Sequence, residues 1–212
     1  MRTGILLGKR LLVTGGTGFV GKAILSEALK QGFDVCLLVR DVVGYKSNSN
    51  DERPVIYASD ASGLRESFET FKPSAVIHLA TCYGRNGEHR EEIFAANYDF
   101  PVTLLRAAVE GKVQKFLNAD TFFTASLGLA PGLRSYVESK KRFLEDGSKI
   151  AASSDTKFIN LKIYQAYGPN DRPEKFLPGL ISELKTDSTV AFTAGHQVRD
   201  FVYVTDIARA FL

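Results

Sequence analysis

Short apolar runs alternate with stretches of helical period along most of the chain. The runs at residues 10–13, 34–39, 54–57, 75–80, 115–118 and 158–163 are nearly continuous, as strands buried on both faces must be. Between them, apolar positions recur at three- and four-residue spacing. Ala23, Ile24, Leu25, Ala28 and Leu29 mark the first such helix, and others are expected near 64–71, over 91–109 and over 135–152. A polar loop is expected around 47–51. Strands separated by helices pair in parallel, because a parallel crossover needs a dozen or more residues. The expected fold class is therefore α/β, a doubly wound parallel sheet with helices on both faces. At Gly168-Pro169 the pattern changes to a turn, a helix near 175–184 and short strands, which places a domain junction there and divides the chain into 1–168 and 169–212.

Composition narrows the picture by exclusion. A chain of 212 residues, 44% hydrophobic and 24% charged, can bury one sizeable core, and is neither disordered nor fibrous in composition. Its 27 Lys and Arg are dispersed among 24 acidic residues, so no basic stripe for nucleic acid is present. The net charge of +3 suits an anionic small ligand. Cys36 and Cys82 make neither a disulfide framework nor a metal-ligand spacing, so no metal is expected and a reduced cytoplasmic setting is. The apolar stretch at residues 4–7 is cut off by Lys9-Arg10, too short for a signal or a membrane span. Neither nucleic acid nor membrane is an expected partner.

One turn carries specific chemistry. Val13-Thr14-Gly15-Gly16-Thr17-Gly18-Phe19-Val20-Gly21 joins the first strand to the first helix. Glycines there let the backbone turn sharply and approach a pyrophosphate, which meets the positive end of the helix. The spacing fits both the general dinucleotide fingerprint and its short-chain dehydrogenase variant. In such sheets ligands sit beyond the carboxyl ends of the strands. Those ends hold the glycine turn, Arg40, Asp60, Thr81-Cys82-Tyr83, Asp120-Thr121 and Tyr164-Gln165. Arg40 stands where an acidic ribose ligand would accept from a 2′-hydroxyl. A guanidinium there attracts a 2′-phosphate instead, which favours NADP and leaves NAD allowed; the neighbouring Asp41 pulls the other way.

Tyr136 and Lys140 lie four residues apart on a predicted helix and share one face. A nearby cation stabilises phenolate, so Lys140 is expected to depress the Tyr136 pKa toward useful acid–base range. By itself the pair is ordinary surface decoration; Thr121 at a strand end adds a hydroxyl that can bind a substrate oxygen.

With these residues the chain resembles the extended short-chain dehydrogenase/reductase family, the NAD-dependent epimerases and dehydratases of nucleotide-linked sugars. The likeness rests on Thr14 to Gly21, His78-Leu79-Ala80, Asn97, Tyr136-x-x-x-Lys140, Tyr167-Gly168-Pro169 and Arg199-Asp200-Phe201-Val202-Tyr203-Val204-x-Asp206, all in order. It implies a Rossmann-type dinucleotide domain over 1–168 and a small, partial substrate lobe over 169–212. It further implies that Tyr136 protonates the sugar carbonyl oxygen, that Thr121 aligns it, and that Lys140 also binds the nicotinamide ribose. Cofactor contacts would come from Gly15, Thr17, Gly18, Phe19, Val20, Gly21, Arg40, Asp60, Leu79, Ala80, Thr81, Tyr136, Lys140 and Tyr164. Substrate contacts would come from Tyr83, Thr121, Gln165 and Arg199. Plainer roles compete: Asp60 can simply begin a helix, Asn97 can tie helix to strand, Arg199 can be a surface ion-pair partner, and His78 reads as a packed strand residue.

Thr121 replaces the usual serine and Lys162 a common arginine. Related dehydratases carry an Asp-Glu pair after the catalytic hydroxyl residue, where this chain has Phe122-Phe123. The expected activity is therefore NADP-dependent reduction of a nucleotide-activated 4-keto-deoxyhexose for a surface polysaccharide. A nucleotide-sugar 4-epimerase is the alternative enzyme, and a dinucleotide-sensing protein without catalysis the alternative class. A homodimer is left open.

Overall fold

A computed structural model of the chain describes residues 9–48, 55–125, 131–186, 189 and 191–212. Six strands form one sheet: β1 (Arg10–Thr14), β2 (Asp34–Val39), β3 (Val55–Ala58), β4 (Ala75–His78), β5 (Lys115–Thr121) and β6 (Lys157–Ile163). Their order is β3-β2-β1-β4-β5-β6 and every pairing is parallel, the strand order of a Rossmann sheet. The α/β expectation holds, and the order reverses between β1 and β4, where the carboxyl ends open a crevice.

Alternation along each strand feeds two cores. Leu11, Val13, Leu37, Ile77 and Leu117 pack on one face against Ile24 and Ala28 of α1 (Phe19–Lys30). Leu12, Cys36, Leu38, Val76 and Phe116 pack on the other face, against Leu104 and Leu105 of α5 (Phe100–Glu110) and Phe143 of α6 (Arg134–Ala152). Burial on both faces explains why the strands lack a polar alternation.

Several local readings are corrected. The expected polar loop around 47–51 begins inside a helix, α2 (Val42–Asn48), which Asp41 starts; residues 49–51 and Pro54 lie outside the described residues, as do residues 4–7. The short third helix is α3 (Ala61–Glu66), continued by a π-helical turn over Ser67–Phe71. The helix expected over 91–109 is α4 (Arg90–Phe94), a π-helical turn (Ala95–Asp99), then α5. Pro101 has no N–H to give, and the widened turn stands just ahead of it.

Beyond β6, β7 (Gln165–Tyr167) and β8 (Phe201–Tyr203) pair in parallel as a separate two-stranded sheet, with α7 (Phe176–Leu184) between them. The segment after β8 is a helix, α8 (Val204–Phe211), not another short strand. Its Ile207, Ala208 and Phe211 join the core of α1, so the chain returns to the sheet after its excursion. A separate unit is proposed only for that excursion.

Candidate active site

The glycine turn is shaped for close backbone approach. Gly15 has a positive φ of 70°, and a side-chain carbon there would stand 2.6 Å from the Ala80 nitrogen. At Gly21 such a carbon would strike the Gly15 carbonyl and the Gly16 Cα. Helix α1 therefore starts directly against the turn. Its N-cap, Gly18, offers no side-chain cap, and no acidic residue sits in the first turn. The N–H groups and the positive helix end are thus left for an anion, which is what a pyrophosphate requires. Thr17 is exposed beside them, and Phe19 and Val20 are half-buried, with the Lys175 ammonium 5.0 Å above the Phe19 ring.

The next strand end is tied to this turn. The Thr14 hydroxyl meets His78 Nδ1 at 2.7 Å and accepts from the Leu79 and Ala80 N–H groups at 3.3 Å. Burial holds the His78 pKa well below the usual imidazole range, so this histidine is a neutral packed residue, as expected. Asn97 is a structural clamp: it accepts from the Cys82 N–H at 2.8 Å and the Thr81 hydroxyl at 3.0 Å, and donates to the Cys82 carbonyl at 2.7 Å. The loop that carries Thr81 and Tyr83 is thereby fixed in place.

Arg40 is exposed at the end of β2. Asp41, its rival, accepts from the Gly44 N–H at 2.8 Å and caps α2. Asp60 likewise caps α3, accepting from Gly63 N–H at 2.8 Å and Ser62 Oγ at 3.0 Å. The Gly63 hydrogen bond holds its carboxyl below the usual carboxylate range.

At the end of β5 the chemistry converges. Tyr136 on α6 is 2% exposed and its hydroxyl is hydrogen-bonded to Thr121. Tyr83 stacks on the Tyr136 ring at 4.8 Å between centroids. Lys140, one turn further along α6, is 3% exposed and donates to the Ala119 carbonyl at 2.9 Å. Thr121, Tyr136, Lys140 and Tyr83 are therefore brought together. Phe122 stacks with Tyr164, which is half-exposed, at 6.0 Å. Gln165 lies half-buried on β7, where its N–H donates to the Asp200 carbonyl at 2.9 Å; Arg199 is exposed one residue before.

One electrostatic expectation is overturned. Lys140 does not depress Tyr136: burial pushes the Tyr136 pKa up, and the Tyr83 hydroxyl adds to the rise. The lysine is aimed at a carbonyl instead. Its own pKa is pushed down to about 8 by burial, with the Asp120 carboxylate opposing that shift.

Asp120, named among the strand-end residues but given no role there, is buried beside the site. It accepts from Asn160 Nδ2 at 3.0 Å, and Asn160 accepts from Asn118 Nδ2 at 2.7 Å, a polar ladder across β5 and β6 in which Asn118 and Asp120 are buried and Asn160 half-buried. Asn118 and Asn160 inside otherwise apolar runs were the available signal. Among the described residues, no group of His, Cys, Asp and Glu can hold a metal ion, and no helix is long and apolar enough to cross a membrane.

The buried ammonium gives a stability test. Folded Lys140 binds its proton less tightly than the unfolded chain, whose lysines titrate near ~10.4. From about pH 8 to 10 the unfolded state carries more protons, so raising the pH favours folding, by on the order of 1–2 kcal/mol. The buried Cys36 thiol, pushed up to about 12, opposes this contribution over the same window, so the test is a difference between proteins: when urea unfolding of cofactor-free protein is measured from pH 8 to 10, the parent is expected to gain stability relative to Lys140→Met. Parallel pH profiles of the two proteins contradict the assignment.

Residues 11–212 match the model of the NAD dependent epimerase/dehydratase family. The chain is 36% identical over 206 residues to CDP-abequose synthase of Salmonella typhimurium, covering 95% of this chain and 68% of that protein. Among solved structures, the Thermus thermophilus UDP-glucose 4-epimerase complex with NAD matches with a TM-score of 0.74 at 25% identity, over 95% of this chain and 73% of that one. The Bordetella bronchiseptica enzyme WbmG in complex with NAD matches with a TM-score of 0.75 at 24% identity, over 95% and 66%. The chain spans about two thirds of the length of these relatives.

Proposed function

Because the chain belongs to the NAD dependent epimerase/dehydratase family, we propose that it reduces a nucleotide-activated 4-keto-deoxyhexose, with NADPH, in the biosynthesis of a surface-polysaccharide sugar. One observation carries the reading: Thr121, whose hydroxyl is beside that of Tyr136, is followed by Phe122 and Phe123, whose rings lie 4.1 Å apart. Hydroxyls can protonate and orient a carbonyl oxygen. The phenylalanines cannot supply the second acid and base that loss of water from the ring demands.

The glycine cradle and the uncapped α1 N-terminus fit a dinucleotide, which when bound supplies hydride to the sugar carbonyl carbon. Gly15, Thr17, Gly18, Phe19, Val20 and Gly21 would face its pyrophosphate, and Asp60, Leu79, Ala80, Thr81 and Tyr164 would line it. With Asp41 occupied on α2, Arg40 is the charged group left at the end of β2, and its fork suits a 2′-phosphate. Tyr136 gives its proton to the carbonyl oxygen while Thr121 holds that oxygen. Lys140, held by Ala119 in the cofactor-free protein, would turn to the nicotinamide ribose. Tyr83, Gln165 and Arg199 would contact the substrate, Arg199 through the diphosphate. The paired Tyr136 and Lys140 have no purpose in a protein that only senses dinucleotide.

The test is turnover of stable 4-keto nucleotide sugars with each nicotinamide. Each turnover is expected to consume one NADPH, to use NADH less well, and to place no solvent deuterium at ring carbons 3 or 5. Interconversion of two 4-hydroxy sugars without net consumption of cofactor would identify the 4-epimerase. A 4,6-dehydration product formed from an unreacted nucleotide hexose would overturn the assignment.

A further inference from the structure

We propose that Asp120 is the counter-charge of Lys140: a positioning residue that keeps the buried lysine an ammonium, able to donate to the Ala119 carbonyl and, with the dinucleotide bound, to its ribose. Among the described residues, these two are the buried members of the Lys, Arg, Asp and Glu set. A charge taken out of water is costly unless an opposite charge accompanies it. The fold sets both on one side of the sheet. Residues 116, 118 and 120 alternate onto the α6 face of β5, where Phe116 packs against Phe143, and Lys140 lies one turn before Phe143 on the buried side of α6. Lys140 Nζ donates to the carbonyl of Ala119, the residue next to Asp120.

The Asp120 carboxylate is fixed in place without being neutralised. Its Oδ2 accepts from Asn160 Nδ2 and from the Thr124 hydroxyl at 3.4 Å, both uncharged donors, while Oδ1 is buried with no hydrogen-bond partner among the described residues. The other titratable groups around this end of α6 cannot take its part. His78, facing from β4, is neutral, and Tyr136 and Tyr83 are uncharged phenols. Lys162, in register with Asp120 on β6, has the wrong sign and is exposed. Glu138 on α6 is exposed and already paired with Arg90 of α4, so water screens it. That burial takes the Lys140 pKa no lower than about 8 fits a carboxylate held at hand. The ammonium has three N–H groups, one of them used on Ala119, and loss of its proton would remove both a donor and the charge.

This role rests on the dinucleotide reading for affinity but not for titration, so two measurements are made on Asp120→Asn, which keeps an oxygen for Asn160 and removes the charge. Asp120→Ser serves where the amide variant does not fold, and Asn118→Ala breaks the ladder while leaving the charge. In cofactor-free protein, Lys140 is titrated through the shift of its labelled ε carbon, assigned by its loss in Lys140→Met. Removing the Asp120 charge is expected to lower the Lys140 pKa by about one pH unit, and Asn118→Ala to move it by less than about 0.3. An unmoved titration, or an equal move in Asn118→Ala, overturns the proposal. At pH 8 a lysine that titrates there is half protonated, and one titrating a unit lower about a tenth, whereas both are protonated at pH 6. The ratio of variant to parent Kd for NADPH is therefore expected to rise about fivefold from pH 6 to pH 8. A ratio that stays level overturns the positioning role. If the unaltered protein binds no dinucleotide, that reading fails and the titration alone judges Asp120.

Discussion

Replacing Tyr136 by Phe is expected to lower 4-ketone reduction by at least ~100-fold while leaving dinucleotide affinity within about twofold. The phenyl ring keeps the stack on Tyr83 and the packing of a residue that is 2% exposed, so the fold has little to lose. What disappears is one O–H, the only proton donor besides Thr121 in that hydrogen-bonded pair. A hundredfold loss corresponds to about 2.7 kcal/mol of transition-state stabilisation, within reach of a single positioned acid. Lys140→Ala should differ in kind, raising the dinucleotide Kd as well as lowering kcat, because in the proposed mechanism the ammonium would also hold the nicotinamide ribose. Steady-state rates and a fluorescence titration of NADPH separate the two outcomes. A phenylalanine variant that kept most of its turnover would show that another group is the acid.

Gly21→Ala is expected to weaken dinucleotide binding by about tenfold to a hundredfold and to cost about 1–3 kcal/mol of stability. The added methyl would meet the Gly15 carbonyl and the Gly16 Cα, both backbone atoms that cannot rotate away. Either the turn shifts or α1 slides, and each would disturb the N–H groups proposed to face the pyrophosphate. Gly18→Ala is the internal control for folding, since a methyl there meets only the Gly15 carbonyl, at 3.4 Å. Its stability should stay within about 0.5 kcal/mol of the parent, whatever it does to the ligand. Calorimetric titration with NADPH and thermal unfolding of both variants give the comparison. Unchanged affinity in Gly21→Ala would mean that the turn is not the dinucleotide cradle.

The two arguments draw on different kinds of information. The cradle lies within nine residues that the chain presents in order, and its geometry follows from what glycine permits and helix ends attract. The strands were legible for a similar reason: runs buried on both faces need no partner to be recognised. Tyr136 and Lys140 share a helix, so their common side was fixed by spacing alone. The capping roles of Asp41 and Asp60 were also local, though each was first read as a ligand or its rival. Helix α8 was missed because its apolar positions, Val204, Ile207, Ala208 and Phe211, follow closely on a strand of three residues and make sense only against α1.

What the sequence by itself determined is therefore the α/β sheet, the glycine cradle and the tyrosine–lysine helix, each set by backbone chemistry over a few residues. Tertiary structure alone decided the state of the site. It laid Tyr83 on a tyrosine far along the chain, turned Lys140 to the Ala119 carbonyl, and ran Asn118, Asn160 and Asp120 into a partly buried ladder between two strands. The reason is that desolvation and hydrogen-bond partners depend on which strands and loops meet, and residues distant in sequence carry no local record of that meeting.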